Sequence, residues 1–392
     1  MEYGTKLRED LVPPQIAHLE NQIKSEVVGQ DHAVETLVRL HSRVLAGIVP
    51  LKRTLFNVLL LGPTGTGKTY LVEKFCEHIH PSSPKVIRPL KIDCGEFQHS
   101  HEVAKLIGAP PGYLGHKETK AALSQEEIIS RQTINEPYTV VLFDEIEKAS
   151  DAMYKILLGV LDKGELRLGD NSIVDFSSCI ICMTSNLGAK EMDALLQNRA
   201  LGFPSPAQSR SKDLSQAGQK AARRHFYPEF WNRIDEIIVF NPLSREDALK
   251  IVRLEIKKVQ DLLIRKPASR ILILPTGNAL DHIRNSSFSK QYGARALKRT
   301  VDAVVNTPLA KFLLTGQIAT GDVLVIDHDG SSWQYWKANK DPVSMDGIME
   351  GYTAFYTEGA SVEDAFRICE NRQAKQATLV KPKKPQKEKK PA

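Results

Sequence analysis

Gly62-Pro-Thr-Gly-Thr-Gly-Lys68-Thr69 is the stretch of sequence that decides the fold of this chain. It follows an apolar run, Val58 to Leu61, that predicts a strand, and it precedes residues 70–79, whose apolar spacing predicts a helix. A G-x-x-x-x-G-K-T match between a strand and a helix is typical of a phosphate-binding loop, whereas a glycine-rich turn alone would be weak evidence. Backbone N–H groups and the positive end of the helix would surround the phosphates. The predicted nucleoside triphosphate site comprises Gly62, Pro63, Thr64, Gly65, Thr66, Gly67, Lys68 and Thr69.

A pair of carboxylates completes the predicted site. The apolar run at residues 138–143 ends in Asp144-Glu145, and a carboxylate at a strand end beside a phosphate loop can hold Mg²⁺ through water. We therefore expect Asp144 and the Thr69 hydroxyl to bind Mg²⁺, Lys68 to reach the β- and γ-phosphates, and Glu145 to polarise the attacking water. Two acids that merely cap the next helix are the alternative, and the preceding phosphate loop makes that alternative weak.

Three further residues have two interpretations each. Asn186, at the end of the run Cys179–Met183, either orients the attacking water or is a turn or N-cap residue. Arg233 either forms a salt bridge or acts as an arginine finger in the site of a neighbouring subunit. Arg295 presents the same choice from a helical segment. Residue type alone leaves these alternatives open.

The order of predicted elements indicates an α/β fold with a parallel sheet. Apolar runs at 86–93, 138–143, 179–183 and 237–240 alternate with helical patterns, an arrangement that places a ligand at the carboxyl ends of the strands. The pattern then becomes helical, at 244–264, 276–285 and 293–314, before a short strand at 323–326. The predicted domains are an N-terminal linker and helix (1–26), a large α/β domain (27–242), a small helical domain (243–329), a helical extension (330–374) and a disordered Lys/Pro-rich tail (375–392).

Charge is concentrated at one end of the chain. The 392 residues carry a net charge of +6, and the segment from Lys375 onward contains seven lysines and one acid, so it accounts for the whole excess. The rest of the chain is neutral overall and offers no electrostatic case for binding DNA or RNA. The tail itself either binds an acidic partner or nucleic acid, or is simply a solvated segment, which is the more common case.

The sequence also bears on compartment and on the cysteines. No apolar run approaches the roughly 20 residues that span a bilayer, and the N-terminus lacks the apolar core of a secretory signal, so we expect a cytoplasmic protein without membrane contact. Five scattered cysteines do not suggest a disulfide framework. Cys179 and Cys182 have C-x-x-C spacing, but residues three apart on a strand point to opposite faces, which predicts buried core residues and no metal site.

The combination of motifs resembles the Clp-family AAA+ unfoldases, and in particular the second ATPase module of ClpB and ClpC. The resemblance covers residues 16–327 and rests on the phosphate loop, Leu142–Ala149, Met183–Gly188, Phe230–Asp235 and Tyr292–Arg295. It implies an AAA+ large domain, a small helical lid domain, an ATP- and Mg²⁺-dependent ATPase, and a homo-oligomeric ring, usually a hexamer. It also implies roles for four single residues: Asn186 as sensor 1, Arg233 as the trans arginine finger, Arg295 as sensor 2 and Val28 in the segment that lines the adenine.

The resemblance further implies a function and its partners. Tyr113 and Leu114, in Gly112-Tyr-Leu-Gly115, resemble a pore loop that grips a threaded polypeptide, although His116-Lys-Glu118 departs from the aromatic and acids that often follow there. The implied function is ATP-dependent unfolding of unfolded or tagged protein substrates by a single ATPase module. Beyond the resemblance, substrate choice would come from the pore, from residues 330–392 or from a separate adaptor, for which residues 330–392 are the candidate binding segment. Leu201-Gly-Phe203 resembles a docking tripeptide for a ClpP-like peptidase, but a small apolar anchor for the loop is the better-supported interpretation. An AAA+ ATPase that acts on a nucleic-acid-associated complex is the alternative function.

Overall fold

A parallel sheet organises the first of two units, residues 1–243, in the computed structural model of the chain. The structure describes residues 8, 11–108, 121–199, 207–266, 270–287 and 293–379. The strand order of the main sheet is β2-β3-β6-β1-β7, and β4 and β5 form a separate hairpin. The strands of this unit are β1 (Phe56–Leu61), β2 (Leu90–Asp93), β3 (Thr139–Asp144), β4 (Glu165–Arg167), β5 (Ile173–Asp175), β6 (Cys179–Ser185) and β7 (Glu236–Val239).

Helices cover both faces of this sheet, as expected for a parallel sheet whose central strands, β1, β3 and β6, are buried almost throughout. Alternate residues face alternate sides: Leu59 and Leu61 lie in one core, while Val58 and Leu60 lie in the other. The helices are α1 (Pro14–Glu26), α2 (Asp31–Leu45), α3 (Lys68–His78), α4 (Ala104–Ile107), α5 (Gln125–Ile129), α6 (Asp151–Lys163), α7 (Ala189–Arg199), α8 (Ala207–His225) and α9 (Pro228–Trp231).

The predicted strands are confirmed with changed ends. The strand expected at 86–93 begins only at Leu90, because Pro89 has no N–H for the ladder. The strand expected at 179–183 continues to Ser185, since Thr184 and Ser185 pair in register with Leu60 and Leu61. These two extra residues carry the sheet to the edge where the phosphate loop begins.

The two cysteines with C-x-x-C spacing lie where the strand geometry predicts. Cys179 is in the core on one face of the sheet and Cys182 is in the core on the other. All five cysteines are buried and free, and burial raises the pKa of the Cys182 thiol far above its ordinary value. Cys179 and Cys182 are core residues on opposite faces of the sheet, so these two thiols cannot share one metal ion.

The second unit, residues 244–392, contains a small sheet with the strand order β10-β9-β8. Its helices agree with the predicted helical pattern, except that a π-helical turn at Asp302–Asn306 divides the segment expected at 293–314. The sequence reading missed β8, a short apolar run, and β10, an aromatic strand that follows the turn at Asp329-Gly330. The elements are α10 (Arg245–Arg265), β8 (Leu272–Pro275), α11 (Gly277–Ser287), α12 (Gly293–Val301), α13 (Thr307–Leu314), β9 (Val323–His328), β10 (Trp333–Lys337), α14 (Met345–Tyr352) and α15 (Val362–Leu379).

Residues 338–369 pack against this sheet and belong to the core of the second unit. One face of β8 and β9 packs against α10 to α13, and the other face packs against α14 and α15. Leu272 and Leu274, on the second face, are fully buried in the cluster that contains Ile348 and Cys369. The helix α15 continues to Leu379, past Lys375, where the disordered tail was expected to start. None of the helices that the structure describes is long and apolar enough to cross a membrane.

Two glycines let α14 approach α15 closely. A Cβ on Gly351 would lie 2.1 Å from Cys369 Sγ and 2.9 Å from Leu272 Cδ2, and a Cβ on Gly347 would lie 2.8 Å from the Cys369 carbonyl oxygen. These distances are well inside van der Waals contact. The close packing of the two helices therefore depends on glycine at both positions.

We expect Gly351→Val to destabilise the second unit, because its side chain must displace Cys369 and Leu272. Overpacking of this kind costs about 1–3 kcal/mol, and each kcal/mol lowers the unfolding temperature of a unit this size by about 2–4 °C. Thermal unfolding followed by circular dichroism measures the shift. Gly277→Ala is the matched control, since a Cβ there meets nothing within 4 Å. Equal unfolding temperatures for the two variants would contradict this packing.

Candidate nucleotide site

The loop from Gly62 to Gly67 connects β1 to α3 at the carboxyl edge of the sheet. Gly62, Gly65 and Gly67 have φ values of 144°, 75° and 100°, a region that favours glycine. A Cβ on Gly62 would lie 2.8 Å from the carbonyl oxygen of Phe240, just beyond β7. The loop is thus fixed against the end of a neighbouring strand, and its backbone turns where side chains would not fit.

Lys68 is buried at the centre of this loop. Its ammonium donates to the carbonyl oxygens of Gly62 (2.6 Å) and Pro63 (2.9 Å) and to Oδ1 of Asn186 (2.9 Å). The carbonyl oxygens keep a positive charge inside the loop at the N-terminus of α3. The charge and the helix end together suit an anionic phosphate.

Asp144 lies opposite the loop and receives three contacts. Its Oδ1 accepts from the hydroxyls of Thr69 (2.9 Å) and Thr184 (2.5 Å), and its Oδ2 pairs with Lys91 Nζ at 2.7 Å. Burial alone would raise the pKa of Asp144, but the Lys91 ammonium and the two hydroxyls outweigh it and lower the pKa below its ordinary value. Asp144 is therefore ionised at neutral pH. A carboxylate and a hydroxyl oxygen within hydrogen-bond distance are the hard donors that Mg²⁺ prefers, so these residues fit that ion.

Glu145 has a backbone conformation that is rare for its residue type. Its φ and ψ are 57° and 49°, in the left-handed region, which costs on the order of 1–3 kcal/mol for a residue with a side chain. Its N–H donates to the Thr184 hydroxyl at 3.0 Å, and its carboxylate pairs with Lys148. The strained backbone turns the Glu145 carboxylate away from the direction of β3, toward Asn186, whose Nδ2 lies 3.5 Å from its Oε1.

Asn186 joins the loop to the carboxylates. Its side-chain oxygen accepts from Lys68 and, at 3.3 Å, from the Thr64 hydroxyl. The backbone N–H of Asn186 donates to Glu147 Oε1 at 3.0 Å. The other oxygen of Glu147, Oε2, is buried without a hydrogen-bond partner in the part of the chain that the structure describes. Asn186 contacts side chains on both sides of the site, so it is more than a turn residue.

Gln30 connects the N-terminal segment to the phosphate loop. Its Nε2 donates to the carbonyl oxygens of Asn241 (2.9 Å) and Thr66 (3.4 Å), and its Oε1 accepts from the Asn241 N–H at 3.1 Å. Val28, two residues earlier, is half-buried. The amide of Gln30 thus ties the segment expected to line the base to both the loop and the end of β7.

The structure brings together some of the predicted site residues, and Arg233, in the same unit, has other partners. The loop residues, Asp144, Glu145 and Asn186 meet at one edge of the sheet. Arg233 instead forms an ion pair with Asp162, to which its Nη2 donates at 3.4 Å, and its Nη1 donates to the carbonyl oxygen of Glu229 at 3.0 Å. Arg295 is an exposed residue of α12 in the second unit. Tyr113, Leu114 and the tripeptide at 201–203 lie outside the described residues.

The sequence did not reveal four contributions to this site. They are the contacts of Thr184, Lys91 and Glu147, and the hydrogen bonds by which Gln30 joins the phosphate loop to Asn241. Lys91 lies within the apolar run at 86–93, and Thr184 follows directly after the strand predicted at 179–183. The third acid in Asp144-Glu-Ile-Glu147 was a usable signal, because residues of a tight turn after β3 remain near the strand end. Thr184 offered no local signal, since its role depends on pairing between β3 and β6.

Comparisons with known proteins agree with this architecture. Residues 53–237 match the family model described as AAA domain (Cdc48 subfamily), and residues 243–326 match that of the C-terminal, D2-small domain of ClpB protein. The chain is 35% identical over 318 residues to ClpC of Staphylococcus aureus strain USA300, an ATP-dependent Clp protease ATP-binding subunit, with 81% of this chain and 37% of the relative covered. The ClpC of Staphylococcus epidermidis is also 35% identical, over 82% of this chain and 37% of the relative.

A similar solved structure is the closed state of Hsp104 with ATPγS and FITC-casein. It is 29% identical to this chain with a TM-score of 0.65, and the match covers 79% of this chain and 50% of that chain. The chain spans about 37% of the length of the two ClpC relatives. The similarity therefore concerns a module of those longer proteins.

We expect Thr184→Val to destabilise the first unit, because it removes the hydroxyl that bonds to both Asp144 and the strained Glu145 amide. Loss of partners for buried groups costs about 1–3 kcal/mol. The folded pKa of Asp144 lies below its ordinary 3.8, so its stabilisation is present above pH 3.8 and is lost as the pH falls through the folded pKa. The decrease in the free energy of unfolding that Thr184→Val causes should consequently be largest above about pH 4 and smaller in more acid solution.

Thermal unfolding between pH 3 and pH 8 measures this effect. Thr184→Ser is the matched control, since it keeps the hydroxyl and should unfold close to the unchanged protein at each pH. If Thr184→Val and Thr184→Ser unfold alike, the hydroxyl bridge does not stabilise this site.

Proposed function

Because this chain belongs to the Clp family of AAA+ ATPases, we propose that it hydrolyses ATP to unfold protein substrates. In this proposal a homo-oligomeric ring, a hexamer, threads the polypeptide through its pore. The observation that carries the proposal is the meeting of the phosphate loop, Asp144, Glu145 and Asn186 at one edge of the sheet, which is the arrangement that ATP hydrolysis requires. The names of the relatives support a protein substrate, since one is a Clp protease ATP-binding subunit and the other is Hsp104 with FITC-casein.

The chemistry divides among the chain's own residues. Lys68 and the backbone N–H groups of Thr64 to Gly67 bind and orient the β- and γ-phosphates. Thr69 and Asp144 would hold Mg²⁺, which would neutralise charge on the phosphates when bound. Glu145 accepts a proton from the attacking water. Its left-handed backbone directs the carboxylate toward Asn186, which orients that water against the γ-phosphate.

Two arginines are proposed to act on the transition state. Arg233 is bonded to Asp162 and Glu229, and no contact joins it to the phosphate loop of its own chain among the described residues. This supports a role as a finger in the site of the neighbouring subunit, where it would neutralise charge on the transferred phosphoryl group. Arg295, exposed on α12, is proposed as the second sensor of the γ-phosphate.

Tyr113 and Leu114 are proposed to grip the substrate, since an aromatic ring offers a large contact surface that tolerates many sequences. A cytoplasmic location and an adaptor that binds residues 330–392 are part of the same proposal. Docking of a ClpP-like peptidase at Leu201-Gly-Phe203 rests only on that tripeptide. The nucleic-acid alternative is not favoured by any of the relatives described above.

We expect Tyr113→Ala to separate hydrolysis from unfolding. The variant should bind and hydrolyse ATP, but it should unfold a fluorescent protein with an unstructured tail about two- to twelvefold more slowly, because the loss of an aromatic contact costs ~0.5–1.5 kcal/mol. Glu145→Gln is the comparison: it should bind ATP while hydrolysis falls about 10²–10⁴-fold. Fluorescence loss and phosphate release measure the two activities. Unfolding at full rate by Tyr113→Ala, or ATPase stimulation by DNA but not by unfolded protein, would overturn the proposal.

A mixing experiment tests whether Arg233 acts between subunits. Arg233→Ala should lower hydrolysis about 10³-fold or more with ATP affinity nearly unchanged, and Lys68→Ala should lose nucleotide binding. Mixed rings of the two variants should regain activity, because a Lys68→Ala subunit can supply Arg233 to its neighbour. Phosphate release as a function of mixing ratio gives the result. If the mixed rings release phosphate no faster than the two variants do separately, Arg233 does not act in the neighbour's site.

A further inference from the structure

The helices beyond the family matches carry a groove on their outer surface. Its volume is about 350 Å³, and it opens between α14, the turn that follows it and α15. Two apolar side chains in its lining are unusually exposed, Met349 by 43% and Ile368 by 36%. Three acids also line it: Asp346, Glu350 and Glu358.

The groove lies in the most acidic part of the second unit. Residues 345–370 contain six carboxylates and one arginine, and all six carboxylates are exposed. Their charges reinforce one another, because α14 and α15 pack against each other. This negative surface repels nucleic acid and favours a cationic partner with some apolar character.

A segment with that chemistry follows α15 directly. Residues 380–392 contain six lysines, one glutamate and three prolines. From Ile368 to the end of α15 at Leu379 the helix rises about 17 Å at ~1.5 Å per residue. The 13 residues beyond it reach up to about 43 Å when extended. The segment is therefore long enough to turn back to the groove.

We propose that this groove binds the chain's own Lys-rich segment, residues 380–392. The ammonium groups pair with Asp346, Glu350 and Glu358, and the methylene stems of the lysines and the proline rings cover Met349 and Ile368. Covalent attachment raises the effective concentration of the segment to roughly millimolar, so weak individual pairs are enough for docking and a separate basic peptide competes poorly. The proposal does not depend on ATP hydrolysis.

Zero-length coupling of amines to carboxylates by a carbodiimide tests the contact in the full-length chain. Peptide mass spectrometry should find lysines 381–390 joined to Asp346, Glu350 or Glu358 about tenfold more often than to Glu363 or Glu370, which are exposed but do not line the groove. The preference should disappear in 0.5 M salt, where surface pairs are screened. In a mixture of ¹⁴N- and ¹⁵N-labelled chains, the two coupled peptides should carry the same isotope, because the contact lies within one chain. Coupling at the same frequency to all exposed acids would overturn the proposal. So would products that mainly join a ¹⁴N-labelled chain to a ¹⁵N-labelled chain, because these are contacts between two molecules.

Proteolysis is a second test of whether the Lys-rich segment docks in the groove, and it does not require the carboxylates to react. Trypsin should remove residues beyond Lys387 about tenfold faster from Asp346→Asn/Glu350→Gln/Glu358→Gln than from the unchanged chain, because cleavage follows the undocked population. Glu363→Gln/Glu370→Gln is the matched control and should be cleaved like the unchanged chain. Equal rates in all three proteins would show that the segment is not held in the groove.

Discussion

The parallel pairing of β1 with β6 is the constraint on which the candidate site depends. Leu61 pairs with Ser185, and the next residue, Gly62, donates its N–H to the Ser185 carbonyl oxygen at 3.3 Å. This register ends both strands at the same level, so the phosphate loop and Asn186 leave the sheet side by side. A slip by one residue would turn the side chains of β6 to the opposite faces and separate Lys68 from Asn186. The positions of the catalytic groups are therefore a consequence of how the apolar cores fix the register.

Charge is separated across this edge of the sheet. Lys68 is held among carbonyl oxygens on the loop side, and Asp144, Glu145 and Glu147 lie on the strand side. Asn186 lies between them, with its oxygen toward Lys68 and its nitrogen toward Glu145. An amide can serve both sides because it carries a donor and an acceptor, whereas a carboxylate or an ammonium at this position would favour only one. The arrangement explains why an asparagine follows β6 directly.

What could be predicted from the sequence was local. The glycines before Lys68 and the acids after an apolar run are contiguous signals, and they predicted the loop, the α/β class and the residues that meet there. Thr184 could not be predicted, because its hydroxyl matters only through the neighbouring strand that carries Asp144. The strand β10 was missed because Trp333-Gln-Tyr-Trp-Lys337 is half-exposed and only its pairing with β9 makes it a strand. Pro89 was a local signal for the start of β2 that the apolar pattern obscured.

The residues after the family matches are part of the fold of the second unit. Leu272, Leu274 and Val323 would face solvent without α14 and α15, and burying such side chains is worth ~1.5–3 kcal/mol each. The close contact at Gly351 shows that this cover is fitted to the sheet and not loosely attached. Residues on the exposed side of α14 and α15 do not pack against the sheet, so their charges can change at little cost to stability. The acidic groove lies on that surface, so a specific role for this chain can arise there without disturbing the nucleotide site.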